Sequence, residues 1–256
     1  SGGSCGLRTK KHSFTYFLKA TFAGIYFFIK LNFTVSTFEE LGIEEGLLKS
    51  VLALGFTEPT PIQQKAIPVL LQGTKDFIGL AQTGTGKTAA FGLPLLQLIN
   101  KKDKFPQALI ICPTRELCLQ IASDLDKFKK GSALISVTAV YGGTSISMQI
   151  RDLKRGTHIV VATPGRLIDL IERKAIDLQN IHYVVLDEAD EMLSMGFKDD
   201  MDAILATTPQ EKQTLLFSAT MPHEIMRIVK TYMNNPMEVA AEKIQTGADN
   251  VTHHYY

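Results

Sequence analysis

The chain has 256 residues, of which 45% are hydrophobic and 21% charged, which is typical of a globular domain and excludes a disordered or fibrous chain. Its formal net charge of +1 creates no strong overall field, so any polyanion must bind to a local surface. The cysteines, Cys5, Cys112 and Cys118, lack metal-ligand spacing, and the last two lie in apolar patterns. This predicts reduced, buried thiols and a cytoplasmic protein.

Residues 1–35 differ from the rest of the chain. A basic group at residues 8–11 precedes an aromatic-rich stretch, an arrangement that imitates a secretory signal. Lys19 and Lys30 interrupt that stretch, and the uncharged core between them is too short to cross a bilayer, so no membrane association is expected. We interpret this segment as a tag or leader of doubtful relevance to function. The alternative is a hydrophobic segment that packs on the following domain.

Residues 36–245 alternate between short apolar stretches and helical patterns, which predicts an α/β fold with a mainly parallel sheet flanked by helices on both faces. The predicted strands are Asp76–Leu80, Ala108–Cys112, Ser136–Tyr141, His158–Ala162, Tyr183–Asp187, Thr214–Ser218 and Met237–Ala240. The predicted helices are Pro61–Leu71, Lys87–Asn100, Arg115–Lys129, Ser145–Leu153, Gly165–Arg173, Phe197–Ala206 and Pro222–Tyr232. Residues 246–256 are interpreted as the start of an interdomain linker, which predicts a truncation before a second domain.

A glycine-rich loop connects the first predicted strand to the helix at Lys87. Its glycines let the backbone curl so that N–H groups point inward, and the helix N-terminus adds positive partial charge. The pattern predicts a phosphate-binding loop in which Lys87 holds the β- and γ-phosphates and Thr88 binds Mg²⁺. It departs from the strict motif at Ala81, where glycine is usual. The residues predicted to contact the phosphates are Thr83, Gly84, Thr85, Gly86, Lys87 and Thr88.

Three carboxylates, Asp187, Glu188 and Asp190, follow the apolar run at residues 183–186. They would repel one another without a cation, and they lie at the carboxyl end of a strand, where α/β sheets bind ligands. With the phosphate loop, they predict that Asp187 binds Mg²⁺ through water and that Glu188 deprotonates the attacking water. The predicted catalytic residues are therefore Lys87, Asp187 and Glu188. Taken alone, the carboxylates also fit a solvated acidic helix start.

These motifs and their order resemble the first of the two RecA-like domains of a DEAD-box RNA helicase of bacterial type. The resemblance runs from about Phe38 to the C-terminus. It implies an ATP-dependent RNA helicase, an ATP hydrolase that uses ATP and Mg²⁺ and couples ATP binding and hydrolysis to RNA binding and local unwinding.

The segment at residues 55–63 resembles the adenine-recognition motif of this family. There a glutamine amide, here Gln63, reads the adenine edge as both donor and acceptor, and an upstream aromatic residue, here Phe38, stacks on the base. Thr60 and Gln63 also form a capping box with Pro61 at the first helical position, so helix capping is the alternative for this segment.

Three further segments resemble the RNA-contacting motifs of the family, and each follows a predicted strand. Their threonines, glycines and helix N-termini suit sugar-phosphate contacts, two arginines add charge, and no aromatic platform is present for stacking bases. Ordinary helix caps and turns are the alternative for each segment alone. The residues predicted to contact RNA are Pro113, Thr114, Arg115, Gly142, Gly143, Thr163, Pro164, Gly165 and Arg166.

The segment at residues 218–220 resembles the motif that couples the ATP site to the RNA site, through hydrogen bonds from Ser218 and Thr220 to Asp190. The second RecA-like domain of the family supplies arginines to the γ-phosphate. Because nothing after Gly247 resembles that domain, we expect this chain to bind nucleotide, to hydrolyse little ATP and to unwind nothing alone. Competing functions are an ATP-gated RNA clamp or scaffold and, with less support, a DNA helicase.

Overall fold

The computed structural model describes residues 37–73, 75–131 and 134–240, together with the backbone of two upstream strands, β1 (Phe14–Phe22) and β2 (Ile25–Phe33). These two strands pair with each other in an antiparallel two-stranded sheet. The predicted linker at residues 246–256 lies outside the described residues, as does the rest of the leader at 1–35.

The main sheet has seven parallel strands in the order β5-β6-β4-β7-β8-β3-β9. Every predicted strand is present, and each end lies within one residue of its prediction. The α/β fold with a parallel sheet is therefore confirmed. The strands are β3 (Phe77–Leu80), β4 (Ala108–Ile111), β5 (Val137–Val140), β6 (Ile159–Ala162), β7 (Tyr183–Leu186), β8 (Gln213–Ser218) and β9 (Met237–Ala240).

The helices pack against both faces of this sheet. Within the described residues, no helix is long and apolar enough to cross a membrane. The helices are α1 (Glu45–Ala53), α2 (Pro61–Gln72), α3 (Lys87–Leu98), α4 (Arg115–Phe128), α5 (Ile146–Lys154), α6 (Pro164–Glu172), α7 (Ala189–Ser194), α8 (Lys198–Thr207) and α9 (His223–Tyr232), and a 3₁₀ turn (Lys129–Gly131) extends α4.

Alternate residues of each central strand pack into two different hydrophobic clusters. In β4, Ala108 and Ile110 lie in the cluster that α1 to α4 cover, whereas Leu109 and Ile111 lie in the one that α6 to α9 cover. A strand with both faces buried needs apolar residues at every position, which explains the uninterrupted runs in the sequence. The parallel arrangement brings the carboxyl ends of the strands to one edge of the sheet, where the predicted phosphate, acidic, RNA-contacting and coupling segments lie. The predicted adenine segment at residues 55–63 instead connects α1 to α2.

Candidate functional site

The glycine-rich loop between β3 and α3 has the left-handed backbone that glycine favours. Gly84 has φ 83° and Gly86, which precedes the first residue of α3, has φ 89°. A side chain on Gly86 would also collide with the amide nitrogen of Gln63. Ala81, where glycine is usual in this motif, is buried in the core cluster under α1 to α4, so its methyl group packs inside the domain.

Lys87 and Asp187 form a buried ion pair that joins the phosphate loop to the end of β7. Their side chains are only 6% and 2% exposed, and Lys87 Nζ lies 3.2 Å from Asp187 Oδ1. Lys87 Nζ is also 3.7 Å from Glu188 Oε1. Burial raises the pKa of Asp187, and the charge of Lys87 partly opposes that shift. These distances place the Lys87 ammonium group between Asp187, which the sequence predicts to bind Mg²⁺, and Glu188, which it predicts to activate water.

The same carboxylate fits a metal ion. Asp187 Oδ1 is buried and already holds a cation, the Lys87 ammonium at 3.2 Å, so it suits a cation or a metal-bound water once Lys87 turns to a phosphate. Thr88, beside Lys87 in the first turn of α3, offers a hydroxyl oxygen, a ligand type that Mg²⁺ accepts. Within the described residues, no group of three or more His, Cys, Asp or Glu side chains could hold a metal.

Glu188 adopts a strained backbone that points its carboxylate toward the phosphate loop. Its φ of 55° and ψ of 50° are left-handed, a conformation that costs a residue other than glycine about 1–3 kcal/mol. Thr83 Oγ1 donates a hydrogen bond of 2.6 Å to Glu188 Oε1. The structure thus brings Thr83, Lys87, Asp187 and Glu188 together as the sequence predicts.

Gln63 connects the predicted adenine motif to the phosphate loop. Its buried amide accepts a hydrogen bond of 2.8 Å from the Thr60 N–H and donates one of 3.0 Å to the Gly86 carbonyl. Phe38 is 1% exposed and packs in the core cluster under α1 to α4. Contact of Gln63 and Phe38 with adenine stays a prediction, and it requires both side chains to become accessible.

Asp190, at the start of α7, is bound to the segment after β8. One of its carboxylate oxygens accepts hydrogen bonds from the Thr220 N–H at 2.9 Å and from the Thr220 hydroxyl at 2.8 Å. The Ser218 hydroxyl donates to the Thr220 carbonyl at 2.7 Å. The predicted contacts of Thr220 with Asp190 are therefore present, whereas the Ser218 hydroxyl bonds to Thr220 instead, and a coupling role for this segment stays a prediction.

The segments predicted to contact RNA lie side by side, after β4, β5 and β6. Arg115, the first residue of α4, is exposed and lies over the Tyr141 ring, with 5.1 Å between the guanidinium carbon and the ring centroid. Thr114 caps that helix by accepting a hydrogen bond from the Leu117 N–H at 3.2 Å. Gly142 and Gly143 are exposed. Pro113 and Pro164 are buried and Gly165 is exposed, while Thr163 and Arg166 are half-buried.

Comparison with known proteins identifies the family. A family model described as DEAD/DEAH box helicase matches residues 60–228. The chain belongs to the DEAD/DEAH box helicase family. The solved structure of a DEAD box protein from the hyperthermophile Methanococcus jannaschii is similar, with a TM-score of 0.78 and 42% identity over 81% of this chain and 56% of that one. The predicted RecA-like fold is therefore confirmed.

Curated relatives of this chain are named as RNA helicases. The DEAD-box ATP-dependent RNA helicase CshA of Geobacillus kaustophilus is 49% identical over 86% of this chain and 47% of its own length. ATP-dependent RNA helicase CshA of Listeria monocytogenes is 54% identical over 79% of this chain and 38% of its own. ATP-dependent RNA helicase DeaD of Haemophilus influenzae is 50% identical over 84% of this chain and 34% of its own length. The chain thus spans a third to a half of the length of these relatives.

Sequence reasoning missed three residues at this DEAD-box site. Tyr141 stacks under Arg115, the Thr144 carbonyl accepts from Arg166, and the amide of Gln149 connects both segments. Gln149 is a polar residue between the partly buried Ile146 and Ile150 of α5, and it is itself buried. A buried glutamine needs hydrogen-bond partners, but the sequence does not reveal which ones.

We expect Asp190→Asn to destabilise the DEAD-box domain at neutral pH and to cause a smaller loss of stability in acid. Partial burial alone would raise the pKa of Asp190, but the hydrogen bonds from the Thr220 hydroxyl and N–H outweigh it and lower the pKa below 3.8. Because the folded-state pKa lies below the unfolded one, ionised Asp190 stabilises the fold above about pH 3.8, and this contribution disappears as pH falls through the folded pKa.

Thermal melting of the wild type and the variant between pH 7 and pH 3 checks this expectation, with Glu191→Gln, an exposed neighbour in α7, as the control. The difference in melting temperature should narrow on acidification. A difference that is constant or grows in acid would contradict it.

Proposed function

We propose that this chain is the ATP-binding domain of an ATP-dependent RNA helicase, which couples ATP binding and hydrolysis to RNA binding and local strand separation. The observation that supports the proposal best is the buried Lys87–Asp187 pair at 3.2 Å, which joins a phosphate loop to an acidic strand end. The similarity to proteins named ATP-dependent RNA helicases agrees with it.

In the proposed ATP site, Lys87 leaves Asp187 for the β- and γ-phosphates. Thr88, and Asp187 through water, would hold Mg²⁺, which would neutralise charge on the phosphates. Glu188, held against the loop by Thr83, exchanges that hydroxyl for the attacking water and takes its proton. Gln63 and Phe38 would select adenine, which requires the amide to exchange the Gly86 carbonyl for the base.

The proposed RNA surface is the row of loops after β4, β5 and β6. Exposed glycine backbone and the N-termini of α4 and α6 favour phosphate oxygens, and Arg115 adds an exposed cation. Such contacts do not depend on base sequence, and contacts to 2′-hydroxyls would favour RNA over DNA. Duplex DNA that stimulated hydrolysis as well as RNA does would favour the DNA-helicase alternative.

Completion of the catalytic site is proposed to require arginines from a second RecA-like domain of the same protein. Such arginines are worth roughly 10³–10⁵ in rate, so the 256-residue chain alone should bind nucleotide and hydrolyse it very slowly. We also propose a cytoplasmic location, for which the free, buried Cys112 and Cys118 give support.

Fluorescence anisotropy with a labelled adenosine nucleotide and a labelled single-stranded RNA tests the proposal on this chain. We expect saturable binding of both, with nucleotide binding dependent on Mg²⁺. If the nucleotide or the RNA did not bind at millimolar protein, that result would contradict the proposal. Rapid, RNA-stimulated hydrolysis by residues 1–256 alone would contradict its requirement for a second domain.

A further inference from the structure

Gln149 is a buried side chain whose amide nitrogen donates to both ends of the turn that follows β5. It lies on α5 and is 6% exposed. Its Nε2 donates to the Tyr141 carbonyl and to the Thr144 hydroxyl, both at 3.0 Å. These two acceptors flank Gly142 and Gly143, so one amide group fixes both ends of the glycine turn.

Arg166 completes this arrangement from α6. Its Nη1 donates to Gln149 Oε1 at 3.0 Å, and both terminal nitrogens donate to the Thr144 carbonyl, at 3.2 and 3.1 Å. Its Nε lies 3.7 Å from Asp169 Oδ2, and the side chain is 11% exposed. The guanidinium is thus committed to protein acceptors and is largely hidden from solvent.

Arg115 offers the contrast on the other side of the turn. It is exposed, and its guanidinium lies over the Tyr141 ring at 5.1 Å, a cation–π contact that leaves its N–H groups available to a ligand. Gly143 lies close to it, since a Cβ there would be 3.3 Å from Arg115 Nη1. Fixing the turn therefore also fixes the platform under Arg115.

We propose that Gln149 is a positioning residue that, with Arg166, holds the Gly142–Gly143 turn and Tyr141 in the shape that binds RNA, and that Arg166 acts through this network rather than by contacting phosphate. The inference rests on the proposed RNA surface. Two glycines lose more conformational freedom on ordering than other residues, so a turn held in place before binding makes RNA binding tighter.

Replacing Gln149 tests the role because it removes the hydrogen bonds and leaves every charge in place. Gln149→Met keeps the length of the side chain, and Met148→Ala, at an exposed position next to it, is the control. Affinity for a fluorescein-labelled oligouridylate is measured by anisotropy between 50 and 200 mM KCl. Hydrogen exchange of the 141–149 peptide, without RNA, reports the order of the turn itself.

We expect Gln149→Met to weaken RNA binding by about tenfold while the slope of log K against log salt stays that of the wild type. Arg166→Gln should behave in the same way. Arg115→Gln should lower the magnitude of the slope by about 0.7, the value for one phosphate contact on a single strand. Exchange of the 141–149 peptide should accelerate in Gln149→Met and stay unchanged in Met148→Ala.

Unchanged exchange in Gln149→Met, or a slope that falls in Arg166→Gln as far as in Arg115→Gln, would overturn the inference. If Gln149→Met does not fold, Thr144→Val removes only one acceptor of Gln149 and should shift affinity and exchange in the same direction by less. A wild-type chain that binds no RNA would overturn the proposed function instead, and faster exchange in Gln149→Met would then still support the structural part of the inference.

Discussion

Lys87→Met should lower the free energy of unfolding by about 3 kcal/mol, and adding Asp187→Asn should restore most of it. The methionine keeps the buried apolar stem of Lys87 but removes the ammonium 3.2 Å from Asp187 Oδ1. The carboxylate is then left buried beside Glu188 without a compensating cation. Burial already raises its pKa with Lys87 present, which shows how poorly the site tolerates that charge alone.

Urea unfolding at pH 7 without nucleotide measures this effect. Lys127→Met is the matched control, because Lys127 pairs with Asp124 at 2.8 Å on the exposed face of α4. An exposed pair contributes little, so we expect the control to stay within about 0.5 kcal/mol of the wild type. Equal effects of the two lysine variants, or a double variant less stable than Lys87→Met, would show that the buried pair does not stabilise the domain.

Glu188→Gln should lower the rate of ATP hydrolysis about 10²–10⁴-fold and leave ATP affinity within about threefold of the wild type. Glutamine has nearly the same shape, and its carbonyl oxygen can still accept the hydrogen bond from Thr83 Oγ1 that holds this position against the loop. It cannot take a proton from water. The variant therefore separates nucleotide binding from chemistry at one atom.

Single-turnover hydrolysis of radiolabelled ATP by excess protein detects the slow reaction expected of this chain. Glu191→Gln, an exposed position in the same acidic helix start, is the control and should retain the wild-type rate. If Glu188→Gln hydrolyses ATP as fast as the wild type, another group activates the water. If it loses ATP affinity to the same extent as activity, Glu188 contributes to binding rather than to proton transfer.

Most of the fold was predictable because its physical cause is local in the sequence. Strands buried on both faces must be apolar throughout, and the helices between them carry caps such as Thr114 or proline at the start such as Pro164. Helix α1 was missed although Leu47 and Val51, four residues apart, bury one face of it. Helix α7 has only six residues, which is too short for a clear period.

The candidate site was predictable in its residue types and less so in its contacts. The loop around Lys87 and the acids after β7 were assigned from spacing, and the sheet brings them together. Sequence does not reveal that Gln63 donates to Gly86 or that Arg166 turns toward Gln149, because side-chain direction depends on which loops become neighbours in the folded sheet. The structure adds that the Arg166 guanidinium contacts protein acceptors, and contact of Arg166 with RNA stays a prediction.

The central claim is that this domain binds ATP and Mg²⁺ through the phosphate loop and Asp187. Calorimetric titration of ATP into the wild-type chain and into Asp187→Asn, each with Mg²⁺ and with a chelator, tests it most directly. We predict that Mg²⁺ tightens ATP binding to the wild type by at least about tenfold, and that Asp187→Asn removes most of this gain. Equal ATP affinity in all four titrations, or no ATP binding by the wild type, would contradict the account.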